Sequence, residues 1–182
     1  MRKENFCTGW TVRPLPGKQW APVRLPHDAM IHELRQQQNP SGAGGGYYPG
    51  GAYVYEKSFF APPQASAESW VLEIEGAMRD AEVRLNDTLL AENHSGYRGF
   101  FVPLESALRP GEENCLQITV RNDQQPNSRW YSGTGLYRPV WLHTPNAPGT
   151  SKRPMKPILW QRTVPSSPAI RRRMYGRWLW TW

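Results

Sequence analysis

The sequence predicts an all-β sandwich followed by a disordered C-terminal tail, on three observations. Short stretches of alternating apolar and polar residues recur between residues 52 and 144, the period-2 pattern of half-buried strands. The 16 glycines and 18 prolines punctuate the chain, as many short strands joined by turns require. After residue 143 the alternation stops and no acidic residue follows.

Residues 1–50 read as loop-rich, with RPLPGKQW, RLPHDAM and NPSGAGGGYYPGG; residues 32–38 predict one helical turn. Strands are expected over 52–60, 69–76, 80–86, 88–92, 97–104, 115–122 and 136–144. In 69–76, Trp70, Leu72 and Ile74 share one face, while Glu73 and Glu75 share the other. In 80–86, Ala81, Val83 and Leu85 face inward, and Asn86-Asp87 turns the chain into a hairpin partner. Leu116, Ile118 and Val120 alternate clearly; Pro139 marks an edge strand or a bulge. Strands of this number and spacing fit a sandwich or a jelly roll.

Charge is unevenly spread. Residues 1–143 hold 14 Lys plus Arg against 15 Asp plus Glu, whereas residues 144–182 hold 8 basic residues and no acid. The formal charge of +7 therefore belongs to the tail, and the body is nearly neutral. Six prolines, four tryptophans and the run RRRMYGRW make residues 144–182 poor material for a core. Arg interleaved with aromatic rings can stack on bases or lie at a membrane surface. Two distant cysteines, Cys7 and Cys115, form no disulfide framework. With no apolar run after the charged N-terminus and no long apolar stretch, a cytoplasmic location is expected, with no membrane span.

LPHDA (25–29), GGYYPGGAYVYEKSF (45–59), AEVRLNDTLLAENHSGYRGFFVPL (81–104) and VRNDQQPNSRWYSGTGLYRPVWL (120–142) resemble the N-terminal sugar-binding domain of glycoside hydrolase family 2. The resemblance covers about residues 8–143, in order, and is nearest the family's β-galactosidase members. It implies a jelly-roll sandwich of galactose-binding-domain type over 1–143, packed beside a catalytic (β/α)₈ barrel. It also implies retaining hydrolysis by two barrel glutamates, acid/base and nucleophile. Neither the barrel nor the immunoglobulin-like domain that precedes it is expected in 144–182. A truncated or frameshifted product with an out-of-frame tail, or equally an error in the gene model, is the expectation; no nucleic acid or membrane is then an expected partner. The expected partner is a β-galactoside-like carbohydrate, met through the parent enzyme, with no cofactor.

Sugars present flat C–H faces and rings of hydroxyls; Trp and Tyr cover the first, and Arg, Asn and Asp bond the second. Asn127, Arg129, Trp130, Tyr131 and Arg138 therefore stand as candidates for contacting carbohydrate or for bracing the domain against the barrel. In the family a galactosidase acid commonly sits near the position that Arg129 occupies. His27 and Asp28 lack a nucleophile partner and read as a structural loop pair, Asp28 tying the loop down. His27, His32, His94 and His143 show no metal-ligand spacing. Glu73 and Glu75 read as solvated sheet surface, so no catalytic residue is expected in this chain. The rivals are a free-standing carbohydrate-binding module and a nucleic-acid binder working through the basic tail.

Overall fold

The computed structural model describes residues 1–65, 70–126 and 130–145. The predicted tail, from residue 146 on, lies outside the described residues. The strands are β1 (Arg2–Asn5), β2 (Trp10–Leu15), β3 (Ala21–Val23), β4 (Gly51–Phe60) and β5 (Val71–Ile74). They continue as β6 (Ala81–Leu85), β7 (Thr88–Asn93), β8 (Phe100–Pro103), β9 (Glu113–Asn122) and β10 (Val140–Thr144). Among the described residues the one helical element is a 3₁₀ turn at Met30–His32. No helix there is long and apolar enough to cross a membrane.

The strands form two antiparallel sheets, one ordered β1-β10-β5-β8 and the other β3-β2-β4-β9-β6-β7. The alternation in the sequence is what faces them together. Leu72 and Ile74 on β5, Val102 on β8 and Val140 on β10 fill the inner face of the smaller sheet, all fully buried. Tyr55 on β4, Val83 and Leu85 on β6, and Leu116, Ile118 and Val120 on β9 answer them from the larger one. β4 and β9 pair over ten residues, from Gly51↔Asn122 to Phe60↔Glu113. The β6–β7 turn forms at Asn86 and Asp87, both at positive φ (49° and 66°), the conformation of a two-residue type I′ hairpin.

Three strands lie in the region that reads as loop. β1 is an edge strand whose four residues, RKEN, contain no apolar side chain to alternate. β2 does alternate through Trp10 and Val12, but Pro14 masks it. β3 pairs with β2 only from Trp10 to Val12, so at Pro14 the strand has β4 alone as neighbour, and a missing N–H is tolerated there. The helical turn expected over 32–38 is displaced to Met30–His32, and Glu33 leaves it extended (ψ 152°). The strand expected over 136–144 begins only at Val140. Pro139 lies just before it, and β10 runs inside its sheet, not at the edge.

The outer face of the smaller sheet departs from a solvated surface. Glu73 accepts from Lys3 Nζ (2.8 Å) and His143 Nε2 (2.7 Å), and Glu75 accepts from Trp141 Nε1 (2.7 Å). Lys3 also lies over the Trp141 ring, 4.6 Å from its centroid. Burial pushes the Glu73 pKa up towards the neutral form, but Lys3 and His143 together outweigh it and hold the carboxyl below its usual range. Both glutamates are therefore committed to neighbours across the sheet.

Leu72 is fully buried between the sheets. Leu72→Ala is expected to destabilise the fold by about 2–5 kcal/mol, read as a lower urea midpoint at unchanged slope.

Candidate functional site

At one end of the sandwich two segments from opposite halves of the sequence lie side by side. His27 N–H donates to Leu136 O and Ala29 N–H to Thr134 O, both at 2.8 Å. On the other flank Met78 and Gly135 exchange two backbone hydrogen bonds of 2.9 Å. Asp28 closes the arrangement. Its Oδ1 accepts from Thr134 N (3.0 Å) and Met30 N (3.1 Å), and its Oδ2 accepts from the Tyr131 hydroxyl (2.6 Å). Buried Asn122, at the end of β9, donates to Gly133 O (2.7 Å) from the other side.

Two glycines make the approach possible. Gly133 has φ +73°, and a Cβ there would lie 2.7 Å from Asp28 Oδ2. Gly135 has φ +146°, and a Cβ there would lie 2.6 Å from His27 O and collide with the Tyr55 hydroxyl. Any larger residue would push the two segments apart.

The site is electrically ordered by burial and by one carboxylate. Burial, then the bond to Asp28, pushes the Tyr131 phenol well above its ordinary value. Burial and Glu33, which accepts from its hydroxyl at 3.0 Å, do the same to Tyr53. Tyr55 is fully buried; it receives a backbone hydrogen bond from Leu136 and lies 2.9 Å from His27 Nδ1. Burial first, and His32 stacked 6.1 Å away second, hold the His27 pKa below its ordinary value.

Among the candidates named from the sequence, Tyr131 is half-buried and bonded to Asp28, while Trp130 is 63% exposed. Arg138 stacks on Tyr137, 5.4 Å from the ring centroid. Asn127 and Arg129 lie outside the described residues. His27 and Asp28 form no catalytic dyad: the histidine bonds Tyr55 and the carboxylate ties down a loop. Sequence reasoning missed Tyr48, whose ring lies 4.9 Å from that of Tyr131, and Arg35, which covers Tyr48 at 5.6 Å. The signal was two adjacent tyrosines inside a Gly/Pro turn, GGYYPGG. Trp130, Tyr131 and Tyr48 give flat apolar faces, and Arg35 supplies donors: a surface chemically suited to a sugar ring. Among the described residues no group of three His, Cys, Asp or Glu could hold a metal ion.

Asp28→Asn removes the charged acceptor of the Tyr131 hydroxyl's hydrogen bond. An ultraviolet titration is expected to show one phenol shifting down towards about pH 10, with stability falling by about 1–3 kcal/mol. His27 gives a second expectation. Its folded pKa is lowered, so below the unfolded value of about 6.5 the unfolded chain binds more protons. Stability should fall as pH drops from about 7 towards 5, and His27→Asn should flatten that slope in urea titrations.

The fold has counterparts among known proteins. The family model for the glycosyl hydrolase 2 galactose-binding domain-like domain matches residues 10–175. The β-galactosidase BoGH2A of Bacteroides ovatus is 42% identical over 123 residues, 68% of this chain and 14% of that protein. A putative β-glucuronidase of Formosa agariphila is 29% identical over 128 residues, 70% of this chain and 12% of that protein. A β-glycosidase structure from Bacteroides vulgatus superposes with a TM-score of 0.71 at 30% identity, covering 78% of this chain and 20% of its own. This chain thus spans about a seventh of the curated relatives it matches. With the match running over most of its length, the chain belongs to the galactose-binding-like N-terminal domain family of glycoside hydrolase family 2.

Proposed function

We propose that this chain is the sugar-binding, non-catalytic part of a β-galactosidase-like glycosidase that cleaves β-glycosides with retention. The observation that carries this is the family match over residues 10–175, set beside a relative of which the matched stretch covers only 14%. Retention needs two carboxylates about 5 Å apart across the scissile bond. Glu73 and Glu75, the pair that the sequence suggests, are occupied by Lys3, His143 and Trp141. The work of this domain is then positional, with Trp130, Tyr131 and Arg138 as its candidates for meeting the substrate or the barrel. The unpaired Cys7 and Cys115 support action in a reducing, cytoplasmic setting.

The exposed Trp130 also favours a second reading, a carbohydrate-binding module that acts without a barrel. Purified chain is expected to release no nitrophenol from p-nitrophenyl β-galactoside; contaminant-free turnover would sink the non-catalytic assignment. Translation of the gene downstream of codon 145 in all frames decides between the readings. A barrel with two glutamates supports the glycosidase. Closed frames, together with sugar affinity lost in Trp130→Ala, support the free module.

A further inference from the structure

Beside the Asp28 site, across the Met78–Gly135 bridge, a separate cleft of about 210 Å³ opens under the loop that follows β7. Its floor is Met78 and Gly96, and they fit only because position 96 has no side chain: a Cβ there would collide with the Met78 thioether. Tyr137 braces the loop by donating to Gly96 O (2.7 Å). Tyr97, 63% exposed, offers a ring at the side.

Two of the residues that line the cleft, Arg79 and His94, are both bonded by Asp80, a non-glycine residue at φ 45° beside it. Such a backbone costs energy and recurs where a side chain must be aimed. Its Oδ2 accepts from Arg79 Nε (3.1 Å) and its Oδ1 from His94 Nδ1 (3.0 Å). Those bonds leave the outer guanidinium nitrogens of Arg79 as donors. Ser95 and Ser132 line the cleft as well, and a hydroxyl both donates and accepts. Donors and acceptors thus meet in one small cleft beside an aromatic face. That mixture matches the hydroxyls and C–H face of an uncharged sugar, and the Asp80 carboxylate beside the cleft offsets the Arg79 charge that would otherwise favour an anion. The volume lies below the roughly 300 Å³ where drug-sized pockets begin, so it takes one ring and not a chain.

We propose that this cleft, which Ser132 next to Tyr131 helps to line, is a subsite for one neutral pyranose ring in addition to the Trp130–Tyr131 face. The inference rests on the reading of the chain as a carbohydrate-handling domain and deepens it: a substrate bearing more than one sugar would touch the domain twice.

The test is an amide NMR titration of the full chain with methyl β-D-galactopyranoside, with D-glucuronate in parallel. The expected result is shifts at residues 78–80 and 94–97. Affinity should fall about tenfold in the double variant His94→Ala/Tyr97→Ala. Both side chains are exposed, so the variant folds, which its spectrum verifies. Binding lost in Trp130→Ala but untouched by the double variant would overturn the subsite while sparing the proposed function. Preference for glucuronate would overturn the neutral-sugar assignment, and absence of binding to either probe would overturn the subsite outright. The barrel search and the hydrolysis assay address the proposed function independently.

Discussion

The carboxylate of Asp28 is the constraint on which the end of this sandwich depends. Three donors converge on it, two from backbone and one from Tyr131. The bond to Thr134 spans 106 positions of sequence. A buried N–H without a partner costs free energy, and here one side chain satisfies two of them while anchoring an aromatic ring. The tight approach demanded by that carboxylate explains the glycines at 133 and 135, and the loop they permit carries Trp130 and Tyr131.

The molecule handles two half-buried carboxylates, Glu73 and Asp28, in different ways. Glu73 is held by the Lys3 cation and the His143 ring across three strands. Asp28 is held by dipoles, two amides and a phenol, with tyrosines packed around it. Cation pairing suits an outer sheet face, where solvent softens the cost of separating the partners. Hydrogen bonds from fixed N–H groups suit a loop junction, because they set direction as well as charge. The phenols near Asp28 are consequently poor acids, and Tyr131 acts as a donor to Asp28.

Much of this was legible in the sequence, and the reasons for the rest are physical. Alternation exposed β5, β6 and β9, because each buries one face against the opposite sheet. The positive-φ pair Asn86-Asp87 announced its hairpin. β1 left no trace, since an edge strand without apolar residues stays in place through backbone pairing with β10 alone. Pro14 hid β2 because the tolerance of a strand for proline depends on how many neighbours it has, which is a tertiary fact. At the site, the lack of a nucleophile led to the expectation that Asp28 ties down a loop, and its carboxylate accepts from Met30 N, Thr134 N and the Tyr131 hydroxyl. The company of Tyr48 and Arg35 was not foreseen, because contacts between residues 48 and 131 leave no periodicity to read. Glu73 and Glu75 were placed on the correct face, but their partners come from β1 and β10, 66 to 70 positions away from the glutamates.

The pairing of β1 with β10 sets the order in which the molecule can be made. Arg2–Asn5 find their neighbours only in Trp141–Thr144, so the first strand off the ribosome waits for the last. Until then β5 also lacks one of its two flanking strands. Non-local pairings of this kind must close a long loop before they return any stability, and they fold slowly. The larger sheet, completed by residue 122, can assemble during synthesis, while the smaller sheet and the Asp28 junction wait for residues 131–144. A ribosome that stalls before that point leaves a half-sandwich with its apolar inner face open, the species most exposed to aggregation and proteolysis.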